Sequence, residues 1–110
     1  MKIPQVFRGQ WEGNVDQAGY SKPYRGNIIL IDDGGDSVYE NRPKNTGKIT
    51  LISITSPNVI VVNEYTDATN EQDRNWTITL QLNTDGRLYC MWKGRNNGKT
   101  ADALMTAVGT

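Results

Sequence analysis

This sequence reads as an all-β chain, a single antiparallel up-and-down meander barrel of about eight strands built from residues 1–110 as one domain. Three observations support that reading. Apolar and polar residues alternate with a period of two in segment after segment, the pattern of strands with one face in a core. Turn-forming residues interrupt the alternation roughly every ten residues, the spacing of strands joined by hairpins. A meander of this kind has two bare edges that invite aggregation, and pairing its last strand with its first removes both.

The first strand is Phe7-Arg8-Gly9-Gln10-Trp11-Glu12-Gly13-Asn14-Val15. Phe7, Gly9, Trp11, Gly13 and Val15 share the inward face, and Arg8, Gln10, Glu12 and Asn14 share the outer one. A turn-rich stretch, Asp16 to Pro23, leads to a strand from Tyr24 to Ile31. There Ile28, Ile29, Leu30 and Ile31 are apolar on both faces, as in a strand covered by a loop or by a second chain. Asp32 to Asp36 is a turn by composition, Ser37 to Asn41 a short strand, and Arg42 to Gly47 a loop.

Lys48 to Thr55 is rich in β-branched residues and forms a hairpin with Val59 to Tyr65 across Ser56-Pro57-Asn58. Thr66 to Arg74 is a polar loop. Asn75 to Leu82 alternates most regularly, with Trp76, Ile78, Leu80 and Leu82 inward. Asp85-Gly86 is a hairpin-turn pair before the strand Arg87 to Lys93, whose Leu88, Cys90 and Trp92 face inward. Gly94 to Gly98 is a glycine-rich loop. Lys99 to Val108 contains good helix formers, Ala101, Ala103, Leu104 and Met105. A strand that closes the barrel is the reading favoured by topology, and a short C-terminal helix is the alternative.

Composition narrows the chemistry. Twelve basic residues balance twelve acidic ones, so no long-range field draws the chain to nucleic acid or to an anionic membrane. There is no histidine, which removes the commonest general base, zinc ligand and haem ligand at once. One cysteine, Cys90, excludes an intrachain disulfide and agrees with a reducing, cytoplasmic setting. Met1 to Gln5 has no secretory apolar segment, and no apolar run reaches the ~18 residues of a membrane helix. No cofactor is expected.

Gly9-x-Trp11 on the first strand, ahead of an up-and-down meander, resembles the calycin-type barrels, above all the small bacterial lipocalin-like domains. In those families the tryptophan packs across the closed end. The late hairpin Asp85-Gly86-Arg87-Leu88 is similar to theirs as well. The resemblance implies the fold and transfers no ligand. The paired cysteines of many lipocalins are absent, the haem-binding relatives need a histidine, and the biotin-binding pattern of avidins is not present.

An eight-stranded barrel is just wide enough to be filled by side chains or to hold one small ligand. Trp11, Trp76 and Trp92, with Phe7, Ile78, Leu80, Leu82 and Leu88, are enough to fill it. The competing reading is an apolar pocket of about 300 Å3 or more near the open end, lined by Trp76, Trp92, Tyr24 and Tyr65. Arg42, Lys44 and Lys48 on one loop, and Lys93, Arg95 and Lys99 on another, make a basic rim if both loops share one end. Such a rim would attract an acidic partner, a carboxylate head group or single-stranded nucleic acid, with Tyr89 and Trp92 as stacking platforms; the simpler reading, favoured by the zero net charge, is a solvated charged rim. Asp32, Asp33 and Asp36 lack the spacing of a calcium loop and read as a solvated turn. Glu12, Glu40 and Glu64 would pair for acid–base chemistry only if strand register joined them. Cys90 reads as a small core residue, and Asn75-Trp76-Thr77 is a silent glycosylation sequon.

These features favour a non-catalytic binding protein for a small apolar or amphipathic ligand. The alternative is a protein-interaction domain of the inhibitor or immunity type, with a filled barrel. Its contact residues would be Ile28, Leu30, Arg42, Lys44 and Arg95, and the same apolar strand would serve a protein partner or a homodimer.

Overall fold

Among the described residues, 1–40 and 45–109 of the computed structural model, eight antiparallel strands form a closed barrel. In chain order they are β1 (Gly9–Gln17), β2 (Tyr24–Leu30), β3 (Gly35–Glu40), β4 (Asn45–Ser56), β5 (Val59–Thr66), β6 (Asn75–Leu82), β7 (Leu88–Gly94) and β8 (Thr100–Ala107). Each pairs with its neighbours in sequence, and β8 returns to pair with β1 from Trp11↔Ala107 to Gln17↔Ala101. The helix alternative for the last segment is therefore not realised. Two rows of backbone partners, on β1 and on β7, outweigh the helix propensity of its alanines.

Register sorts the strand ends into two mouths. One mouth is sealed. A 3-10 helix, Gln5–Phe7, lies across it and carries Ile3 and Phe7 into complete burial. The Trp11 indole Nε1 donates to the Phe7 carbonyl at 2.9 Å, and Arg8 Nε donates to the Ile3 carbonyl at 2.9 Å. Phe7 thus belongs to a plug and not to β1, which begins at Gly9, where the chain turns at φ 123°. Trp11, Gly13 and Val15 do face inward. A Cβ on Gly13 would lie 2.6 Å from the Leu104 carbonyl oxygen, so the glycine lets β8 close against β1.

Above the plug, inward residues fill the barrel in layers. Leu30, Ile60, Leu80, Leu88, Ile28, Val62, Ile78, Cys90 and Met105 are all buried there. This corrects the reading of the apolar stretch on β2. Ile28 and Leu30 are core residues at 0% and 1% exposure, and only Ile29 and Ile31 face outward, at 40% and 53%. Ile28 and Leu30 are unavailable to a partner because a period of two carries every second residue into the interior.

Candidate functional site

The other mouth is open. There the loops 18–23, 67–74 and 95–99 surround a cavity of about 390 Å3. Its wall is aromatic: Tyr20, Tyr24, Tyr39, Trp76 and Trp92. The rings run in sequence from lip to base. Tyr20 and Tyr24 lie 5.9 Å apart, Tyr24 and Tyr39 6.2 Å, and Tyr39 and Trp92 6.1 Å, the last two pairs edge to face.

At the base sits a carboxyl group. The alternation that buries Ile60 and Val62 on β5 carries Glu64 inward too, to 1% exposure. Its Oε2 accepts from the Ser37 hydroxyl at 2.7 Å and from the Tyr39 phenol. Both donors are on β3, so Glu64 reaches across β4 to meet them. Gly47 makes that reach possible: a Cβ there would lie 2.5 Å from Ser37 Oγ and 3.0 Å from Glu64 Cγ. The Trp92 indole in turn donates to Tyr39 Oη at 3.0 Å. The four side chains form one buried polar network.

Burial disfavours the charged carboxylate and pushes Glu64 up to about 7, against hydrogen bonds led by that of Tyr39. Tyr39 is pushed well above the ordinary phenol range, first by burial and then by the neighbouring Glu64. Tyr24 is pushed up by burial, Tyr20 and Glu64, and the Cys90 thiol by burial and Glu64.

The lip is a built wall. Loop 67–74 contains a 3-10 helix, Glu71–Asp73, capped by Asn70 Oδ1, which accepts from the Gln72 amide at 3.1 Å. The Asp73 carbonyl accepts from Trp76 Nε1 at 2.7 Å and from the Thr66 hydroxyl at 3.0 Å, tying the loop to β5 and β6. The Asp73 carboxylate accepts from Asn97 Nδ2 at 2.7 Å and Lys99 Nζ at 3.1 Å, which hold it below the usual carboxylate range. The Thr46 amide and hydroxyl do the same for Asp67. In the cavity wall, Asn45 Oδ1 is buried with no hydrogen-bond donor among the described residues.

Three of the four expected ligand-binding residues, Trp76, Trp92 and Tyr24, line this cup. Tyr65 does not. It follows Glu64 on β5, so the parity that turns Glu64 inward turns Tyr65 outward, where it is 50% exposed. Arg42 and Lys44 lie outside the described residues. Arg95 is exposed and its Nε donates to Thr77 Oγ1 at 3.0 Å, away from the cavity lining. Lys99 is the cation of the expected rim that lines the cavity among the described residues, and it is paired with Asp73.

The three glutamates do not meet. Glu12 pairs with Arg25 at 2.9 Å on the outer face, Glu40 is exposed, and Glu64 is alone inside. Tyr89 bonds Asp102 at 3.0 Å outside the cup and is no stacking platform for it. Ser37, Tyr39, Tyr20 and Asn45 were not singled out by the sequence. In the structure, period two on β3 and β5 carries Tyr39 and Glu64 inward, and strand register makes them meet.

No protein-family model matches the chain, and no curated protein matches it either. Geometry alone carries the functional reading. Among the described residues no group of three or more histidine, cysteine or acidic side chains is placed to hold a metal ion.

Proposed function

We propose that this protein is a non-catalytic, lipocalin-like binding protein whose open mouth holds one small amphipathic molecule. The observation that carries the reading is a cavity of about 390 Å3, open at one end, aromatic along its wall and polar at its base. Ligand sites are concave, mostly apolar and equipped with a few convergent polar groups, at ~300–1,000 Å3. The sealed floor adds depth: Ile3, Phe7 and Trp11 close the far end, so the cup is not a channel. The inward Trp11 of Gly9-x-Trp11, on the first strand of an eight-stranded meander, supports the lipocalin-like assignment. A filled interior is what the interaction-domain alternative requires, and the cavity weighs against it.

A titration with 2-naphthylmethanol, a neutral amphipathic probe, tests the reading. Saturable 1:1 binding is expected by calorimetry. The indole N–H resonances of Trp76 and Trp92 should shift, that of Trp11 should not, and the alcohol should be recovered unchanged. If neutral, cationic and anionic naphthyl probes all leave Trp76 and Trp92 unmoved, the barrel is not a ligand cup.

A further inference from the structure

We propose that the cup is selective for an organic ammonium ion, an amine on an aromatic or aliphatic body, seated with its nitrogen at Glu64. The inference rests on the binding reading above and deepens it. Three observations support it.

The first is the carboxyl group at the base. Ser37 and Tyr39 both donate to Oε2, and Trp92 adds a hydrogen bond that favours the ionised carboxyl, but among the described lining residues no cation balances its charge. An ammonium N–H supplies a compensating charge, and charge-assisted bonds of this kind are the strong ones. Among the described residues no cation stands beside Glu64 to receive a carboxylate ligand.

The second is the wall. Tyr24, Tyr39, Trp76 and Trp92 surround the approach to Glu64. Aromatic faces attract cations by their quadrupole as well as taking up an apolar body.

The third is the balance of charge. Among the described residues that line the cavity, Glu64, Asp67 and Asp73 face a single cation, Lys99, already bound to Asp73 at 3.1 Å. Asp67 and Asp73 are held below the usual carboxylate range and stay ionised at neutral pH. Among the described lining residues, acidic side chains therefore outnumber basic ones from lip to base.

The proposal predicts a pH profile. Around Glu64 stand Ser37 and Tyr39 from β3, Tyr24 from β2, Cys90 and Trp92 from β7, and Trp76 from β6. The two tyrosines and the cysteine are pushed upward and remain neutral through pH 6–8. The charge that changes at the base in that window belongs to Glu64, near 7. Ammonium affinity should rise about tenfold from pH 6 to pH 8, following the ionised fraction of the carboxyl group.

The experiment compares 2-naphthylmethylammonium, 2-naphthylmethanol and 2-naphthoate by calorimetry at pH 8, with the ammonium probe repeated at pH 6. The ammonium probe is expected to bind about tenfold or more tightly than the alcohol, and Glu64→Gln is expected to erase that preference. The pH profile of the unmodified protein gives the same information should that variant fail to fold. If the alcohol binds as well as the ammonium, or the carboxylate binds best, the inference is overturned and the cup stands. If none of the three binds, cup and inference fall together.

Discussion

Glu64 makes the stability of this barrel depend on pH. Its carboxyl titrates near 7 in the folded protein and near 4.5 in an unfolded chain. Between those values the folded state holds a proton that the unfolded state has released, so stability falls as pH rises. The contribution is complete below about pH 4.5 and lost as pH passes about 7. At 1.36 kcal/mol per pH unit, the loss is roughly 3 kcal/mol. Glu64→Gln keeps an acceptor for Ser37 and Tyr39 without the charge. Urea midpoints of the variant should stay level from pH 5 to pH 8 while those of the parent protein decline; a level parent profile would contradict the buried-carboxyl account. Gly47→Ala addresses the same network by crowding. Its Cβ would press on Ser37 Oγ and Glu64 Cγ, and overpacking of this kind costs ~1–3 kcal/mol. The urea midpoint should drop accordingly, and a variant as stable as the parent would mean that Gly47 does not set the reach of Glu64. The burial of Glu64 was legible in the sequence, since Ile60, Val62 and Glu64 share one parity on β5. Its partners were not. Ser37 and Tyr39 meet it only through two successive registers, β3 with β4 and β4 with β5, across a glycine whose missing side chain leaves no mark in a hydropathy pattern.

At the scale of elements, regular strands were legible and the pieces that finish the barrel were not. A strand announces itself by period two, and β6 and β7 run inward as that period requires, through Trp76, Ile78, Leu80, Leu88, Cys90 and Trp92. The plug has three helical residues and no period, and Phe7 happens to keep the parity of the strand that follows it. Loop 67–74 read as polar and formless because its order comes from carbonyl groups, above all that of Asp73, which binds Trp76 and Thr66. The plug invites a direct test. Phe7 is fully buried, and its carbonyl anchors the Trp11 indole. Removing a buried phenylalanine side chain costs ~3–5 kcal/mol. Phe7→Ala is expected to lose stability of that order in denaturant titrations. A loss under ~1 kcal/mol, the size of a surface change, would show that the 3-10 segment rests against the barrel without sealing it.

The whole molecule divides its interior along the barrel axis. Plug and inner layers form a packed half, and the polar network of Glu64, Ser37, Tyr39 and Trp92 is the floor of an open half. The division answers a question that volume and composition left open. Three indoles and a set of leucines and isoleucines are enough to fill a barrel of this size. They do not fill it, because Trp11 is spent at the closed end, while Trp76 and Trp92 stand in the wall around space. An occupant of that space binds the folded chain alone, since its wall is assembled from β2, β3, β5, β6, β7 and the loop 67–74. It must therefore raise the apparent stability by mass action. At a hundredfold excess over its dissociation constant the gain is ~2.7 kcal/mol. For a chain of this length that corresponds to a rise in Tm of roughly 10 °C. Thermal scans with 2-naphthylmethanol at increasing excess should show Tm climbing with the logarithm of its concentration. A Tm that stays fixed at hundredfold excess, while calorimetry still records heat, would place the probe on surface that survives unfolding and not inside the cup.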